Sequence, residues 1–163
     1  MKKWWRVLLA GLLLVGCGQK KNVETVGDSY IIPNTPEPKA VHLELPEDAA
    51  MLTVQNETDG TLYLCQDYTV TVQTFPGGDL DRTLRQVSGF GADELRLYTL
   101  EYTDYLQHTC VWVSAGEEMD QVGKAVILDD GVHHYAVAVM VPSEQAGELE
   151  KDIRQILDSV ALE

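Results

Sequence analysis

The sequence predicts an α+β domain: an antiparallel β-sheet with helices packed on it. Between residues 61 and 141, short runs rich in Val, Thr and Tyr alternate with turn formers, the pattern of an antiparallel meander. Within it, residues 134–141 are apolar on both alternating faces, with Tyr135, Val137, Val139 and Val141 on one and Ala136, Ala138 and Met140 on the other. Such a strand needs a layer over each face, so it is central. Finally, Ala146, Leu149, Ile153, Ile156, Leu157 and Val160 recur at helical spacing and form a stripe that must lie on the sheet.

The elements follow in order. His42-Leu43-Glu44-Leu45 alternates and stops at Pro46, and residues 51–55 continue extended up to the turn formers Asn56-Glu57-Thr58-Asp59-Gly60. Residues 61–65 and 68–74 read as two strands with a kink at Gln66-Asp67. Asp79 caps a short helix whose Leu80, Leu84 and Val87 share a face, and Gly89 ends it. Residues 95–105 and 108–115 form an antiparallel pair, and residues 122–128 form the next strand. Asp129-Asp130-Gly131 then supplies a tight turn into the central strand. Ser143 is expected to cap the last helix, and Ala161-Leu162 to return as an extended piece.

Ahead of this domain, Lys2, Lys3 and Arg6 precede about ten uncharged, largely apolar residues, the layout of a signal peptide. A spanning helix needs roughly 20 apolar residues, so this run is too short to stay in a membrane. It ends in Leu14-Val15-Gly16-Cys17, which resembles the lipobox of bacterial lipoproteins. The resemblance implies cleavage of residues 1–16 and lipid on Cys17, with Leu14, Val15 and Gly16 as the recognition residues. It also implies a place on the outer face of the cytoplasmic membrane, or on the outer membrane of an organism that has one. A single acyl chain holds only marginally, which is why more than one is needed for stable attachment. Residues 17–40, with Pro33, Pro36 and Pro38, read as the lipidated cysteine and a flexible tether spanning about 25 Å. Residues 41–163 are one domain.

Charge narrows the function. Beyond the signal, 9 basic residues face 26 acidic ones, a net charge of −17, and residues 41–163 alone also carry −17. That surface repels phosphate backbones, so nucleic acid is not an expected partner. Cys65 and Cys110 remain after Cys17 is used. In an exported domain they form either one disulfide or two buried free thiols.

No motif carries a reaction. The chain has no Gly-x-Ser-x-Gly, Ser88-Gly89 reads as a helix end, and neither Gly77-Gly78 nor Gly89-Phe90-Gly91 has the strand-to-helix setting of a phosphate loop. His133 and His134 lie beside Asp129 and Asp130, but adjacent strand residues point to opposite faces and cannot easily share an ion. Glu117, Glu118 and Asp120 lack calcium-loop spacing and read as a solvated acidic loop. No metal or cofactor is implied. Tyr98, Tyr102, Tyr105 and Trp112 form a row that either packs across strands or binds a sugar or peptide.

The order of elements, with Tyr135-Ala136-Val137-Ala138-Val139 followed by a helix and Asp158-Ser159-Val160-Ala161-Leu162, is similar to the Mog1/PsbP-like class of α/β/α sandwiches over residues 63–162. Members of that class mostly act as binding or assembly modules, and no functional residue carries over. The expectation is therefore a non-enzymatic surface lipoprotein that binds an envelope protein or glycan. The alternative is an envelope hydrolase or metal-dependent enzyme using carboxylates with His108, His133 or His134.

Overall fold

A computed structural model describes residues 20–25, 35–54, 60–116 and 119–163. Its main sheet has seven antiparallel strands: Ala50–Val54 (β3), Gly60–Leu64 (β4), Thr69–Pro76 (β5), Tyr98–Glu101 (β6), Leu106–Ser114 (β7), Gln121–Asp129 (β8) and His133–Pro142 (β9). Their spatial order is β3-β4-β5-β9-β8-β7-β6. β9, the strand apolar on both faces, is thus the middle one, and seven of its ten residues in succession are buried.

One face of the sheet carries the helix Leu80–Ser88 (α1). Asp79 caps it by accepting from the Arg82 N–H at 3.0 Å, and Gly89 ends it at φ 83°, a conformation favourable only to glycine. Leu84, Phe75, Cys110, Trp112, Ala125, Ile127, Ala136 and Ala138 form the core on this side. The loop after α1 covers the rest of it with Phe90, Ala92, Leu95 and Leu97. Asp81 latches that loop by accepting from the Ala92 N–H and from Arg85, and these two donors hold its carboxyl below the usual range.

The other face carries the helix Glu150–Asp158 (α2) and a second sheet of three strands, Lys20–Thr25 (β1), Val41–Pro46 (β2) and Ala161–Leu162 (β10), in the order β1-β2-β10. Val41, Leu43 and Leu45 of β2 and Ile153, Ile156 and Leu157 of α2 close over Tyr63, Val70, Val72, Val126, Leu128, Tyr135, Val137 and Val139. Burying each such aliphatic side chain contributes about 2 kcal/mol. The Asp158-Ser159 tail has a physical role here. The Ser159 hydroxyl donates to the Ile156 carbonyl at 2.6 Å and accepts from the Glu44 N–H at 2.8 Å, tying the end of α2 to β2.

Three expectations change. Residues 20–25, placed in the flexible tether, form β1, paired with β2 from Lys20↔Pro46 to Thr25↔Val41. The segment has no apolar alternation because backbone pairing holds it, with Val23 packing against the core. The last helix begins at Glu150, not at Ser143; residues 143–148 are successive turns, Leu149 is the N-cap, and no side chain caps the helix. Gly147 weakens the intervening stretch as a helix. Finally, the strand expected over residues 95–105 is only Tyr98–Glu101, because Leu95 and Leu97 are drawn down onto the α1-side core. The turn formers Asn56-Glu57-Thr58-Asp59 and the acids Glu117 and Glu118 lie outside the described residues.

Candidate functional site

Alternation along β9 separates the two adjacent histidines. His134 turns to the α1 side and His133 to the α2 side, where its ring lies 5.9 Å from that of Tyr135. A buried polar chain forms around His134. Its Nδ1 is 2.7 Å from the Thr83 hydroxyl of α1, and its Nε2 is 3.5 Å from Asp129 Oδ2. We assign the imidazole proton to Nε2, which faces the carboxylate without a hydrogen bond to it, so that Nδ1 accepts from Thr83. Across β8, His108 lies on the same face with its Nδ1 2.9 Å from the Thr99 hydroxyl. Burial lowers its pKa and His134 adds to the effect, while Asp129 opposes both, so His108 is neutral at neutral pH.

His108 and His134 therefore share a face with Asp129, and His133 stands on the other. A hydroxyl, an imidazole and a carboxylate in sequence have the elements of an activated nucleophile. Yet Thr83 is 1% exposed and His134 is 1% exposed, so no substrate carbonyl reaches Thr83 while α1 is in place. Among the described residues no three His, Cys, Asp or Glu side chains are arranged to hold a metal ion. Sequence reasoning missed Thr83 and Thr99. Thr83 could have been noticed, since it stands on the Leu80-Leu84-Val87 stripe as its one polar member.

The hairpin between β8 and β9 holds a second polar cluster. Asp130 Oδ1 accepts from the Val132 and His133 N–H groups at 2.9 and 2.7 Å. Its Oδ2 accepts from the Tyr135 hydroxyl at 3.0 Å and lies 4.0 Å from the Lys39 ammonium. The same tyrosine oxygen accepts from the Lys39 N–H at 2.9 Å, so the chain entering β2 is fixed to the hairpin. Burial, with Asp130 opposite, pushes the Tyr135 hydroxyl up to about 12.

The open surface lies elsewhere. On the α2 side, α2 and the small sheet leave the β6–β7 edge uncovered, and Tyr98, Leu100, Val111 and Val113 stand exposed there. Cross-strand register puts them on one face, opposite or beside Thr109, Gln107, Lys124 and Val122. Tyr98 is 64% exposed and Val113 58%. At the strand end Tyr102 stacks on Tyr105 with ring centroids 4.8 Å apart. The fourth aromatic of the expected row, Trp112, points to the opposite face and is buried.

Cys65 and Cys110 do not form the bridge that was one of their two expected outcomes. Both are free. Cys65 packs against the α2-side core and Cys110 lies within the α1-side core, on opposite sides of the sheet. Burial raises both thiols, Cys110 to about 11. A thiol reagent applied to unfolded protein without reductant should modify both cysteines, and in the folded protein Cys110 should stay unmodified. A pair recovered unmodified after unfolding would restore the bridge. Leu14, Val15, Gly16 and Cys17 lie outside the described residues.

No protein-family model and no curated protein sequence matches the chain. Solved structures do. Cyanobacterial PsbP (CyanoP) from Synechocystis sp. PCC 6803 superposes with a TM-score of 0.60 at 10% identity, over 95% of this chain and 99% of that one. The Saccharomyces cerevisiae Ran-binding protein Mog1p gives 0.53 at 9% identity, over 89% and 96%. LpqN of Mycobacterium tuberculosis, involved in cell envelope biogenesis, gives 0.50 at 12% identity, over 88% and 91%. The fold is PsbP/Mog1-like. The α/β/α layering expected from the tail of the sequence is therefore present, and identities near 10% transfer the PsbP/Mog1-like fold without transferring any functional residue.

Proposed function

We propose that this protein is a lipid-anchored binding or accessory module of the bacterial envelope. In this reading Leu14-Val15-Gly16 directs cleavage, Cys17 carries the lipid on the outer face of the cytoplasmic membrane, and the open β6–β7 face contacts an envelope protein. The observation that carries the binding role is that face: Tyr98, Leu100, Val111 and Val113 stand exposed together on one face of two adjacent strands. The Thr83–His134–Asp129 cluster is, by contrast, closed under α1. Kinship of fold with a protein involved in cell envelope biogenesis and with a Ran-binding protein supports an accessory, protein-contacting role.

A photo-crosslinking residue at Val111, in native membranes, should give one discrete adduct. Tyr98→Ser combined with Val113→Ser should weaken recovery of that partner at least tenfold. The same pair should change the unfolding free energy by less than about 1 kcal/mol, because both side chains are already in water. Adducts at Val111 no stronger than those from a probe at Glu148 would remove the reading.

A hydrolytic reading has one observation in its favour, the Thr83–His134–Asp129 sequence of contacts. It requires turnover of an ester or amide panel by the wild-type protein that Thr83→Ala abolishes. Wild-type protein inert on that panel ends it.

A further inference from the structure

We infer that the domain sits end-on against the lipid bilayer, with one defined end at the headgroups and the β8–β9 hairpin facing away. The inference rests on Cys17 carrying the lipid, as proposed above. What carries it further is the register of β1. Lys20 pairs with Pro46 at one end of the small sheet, and Thr25 pairs with Val41 at the other. Only Gly18 and Gln19 separate Cys17 from Lys20. A trans chain advances at most about 3.6 Å per residue, so the lipidated residue lies within about 11 Å of the first paired one. The leash is less than half of what a free tether over residues 17–40 would give. β1 is held in place by the Lys21 ammonium, which donates to the Ala49 carbonyl, and by Val23 packing against the core.

The end that this leash holds can be traced from contact to contact. The Ala49 N–H donates to the Pro46 carbonyl, Ala50 pairs with Leu64, and the β4–β5 hairpin tip at Gln66-Asp67 follows. The opposite end holds Gly131 and the Tyr102–Tyr105 turn, since Leu106 pairs with Asp129. Ten residues of β9 run between the two ends, about 33 Å at strand rise, so the far end stays clear of the headgroups.

The chemistry of the near end suits a neutral interface. Met51, Leu64 and Met119 are exposed there, and their apolar side chains fit the boundary between headgroup and acyl chain. The exposed acids Glu47, Asp48 and Asp67 repel anionic headgroups, so the fitting surface is a zwitterionic one. Seated this way, the protein presents Tyr98 and Leu100 in its distal half, where a partner can reach them.

The test uses the processed, lipidated protein in phosphatidylcholine vesicles that carry a short-range acceptor dye on the headgroup. A fluorescent amino acid is placed at Gln66 in one preparation and at Thr103 in another. Gln66 should transfer energy severalfold more efficiently than Thr103. Inserting about 20 Gly and Ser residues between Gln19 and Lys20 should erase the difference, because a flexible chain of that length lets the domain tumble. Equal transfer from both positions, with protein that floats with the vesicles, overturns the seating alone. Protein that does not float, or a Cys17→Ser variant that still does, overturns the lipid anchor and the seating with it.

Discussion

Gly123→Ala is expected to destabilise the domain by about 3 kcal/mol, the upper part of the range for overpacking a well-filled core. Gly123 of β8 pairs with Trp112 of β7, and the indole lies flat over the glycine. A Cβ at position 123 would sit 2.1 Å from Cε2 and 2.3 Å from Cζ2 of that ring, distances no pair of carbons tolerates. The tryptophan cannot step aside. It is 6% exposed, with Cys110 and Ala125 in the same cluster and the loop after α1 closed over that core. The strain must therefore move the backbone of two central strands. Denaturant unfolding followed by far-ultraviolet circular dichroism measures the loss, and a change below about 0.5 kcal/mol would show that the ring has room. Trp112→Leu alone should cost about as much by leaving a cavity. Combined with Gly123→Ala, it should cost clearly less than the two separate losses together, since the shorter side chain makes space for the new methyl group.

Trp112 and Gly123 also mark where sequence reasoning reaches its limit. Alternation placed Trp112 on a strand and the turn at Gly131 on a hairpin, and both hold because each depends on neighbours in the chain. The double-sided apolar run at residues 134–141 was legible as a central strand for the same reason: the pattern reports the two layers that must cover it. That Gly123 lies beneath Trp112 depends on the β7–β8 register, which one strand's composition does not encode. β1 was illegible because Lys-Lys-Asn-Val-Glu-Thr is polar, and its pairing to β2 uses backbone groups that every residue has. The separation of His133 from His134 followed from strand alternation, whereas the meeting of His134 with Thr83 depends on how α1 lies on the sheet. Of the aromatic row, Tyr98 and Trp112 differ in parity and so in fate, one in water and one in the core. Cys65 and Cys110 left two outcomes open because the face each cysteine occupies is a tertiary property.

Asp130→Ala should cost a comparable amount, about 3 kcal/mol, and it should change how stability depends on pH. The carboxylate is nearly buried and satisfies four donors: the Val132 and His133 N–H groups, the Tyr135 hydroxyl and, more loosely, the Lys39 ammonium. Removing it strands the tyrosine hydroxyl and the backbone donors, and each buried group left unpaired costs on the order of 1–3 kcal/mol. Burial alone would raise the Asp130 pKa, but the two N–H groups and the tyrosine hydroxyl outweigh it and hold the carboxyl below its ordinary value. The sign follows. A carboxyl with a lower pKa in the folded state adds stability that is fully present above its unfolded value, near pH 4, and is lost as the pH falls through the folded value. Wild-type protein should therefore lose stability on acidification below about pH 4 more steeply than Asp130→Asn, which has no proton to take up there. Tyr135→Phe, which removes one donor and also the acceptor of the Lys39 N–H, should lose about 1–2 kcal/mol and move the slope part of the way toward that of Asp130→Asn, since the hydroxyl is one of the groups that hold the carboxyl low. Unfolding free energies measured between pH 3 and 7 for the three proteins decide the matter. If Asp130→Asn and the wild type fall in parallel, folding does not lower the Asp130 pKa and the hairpin hydrogen bonds do not favour its charged form.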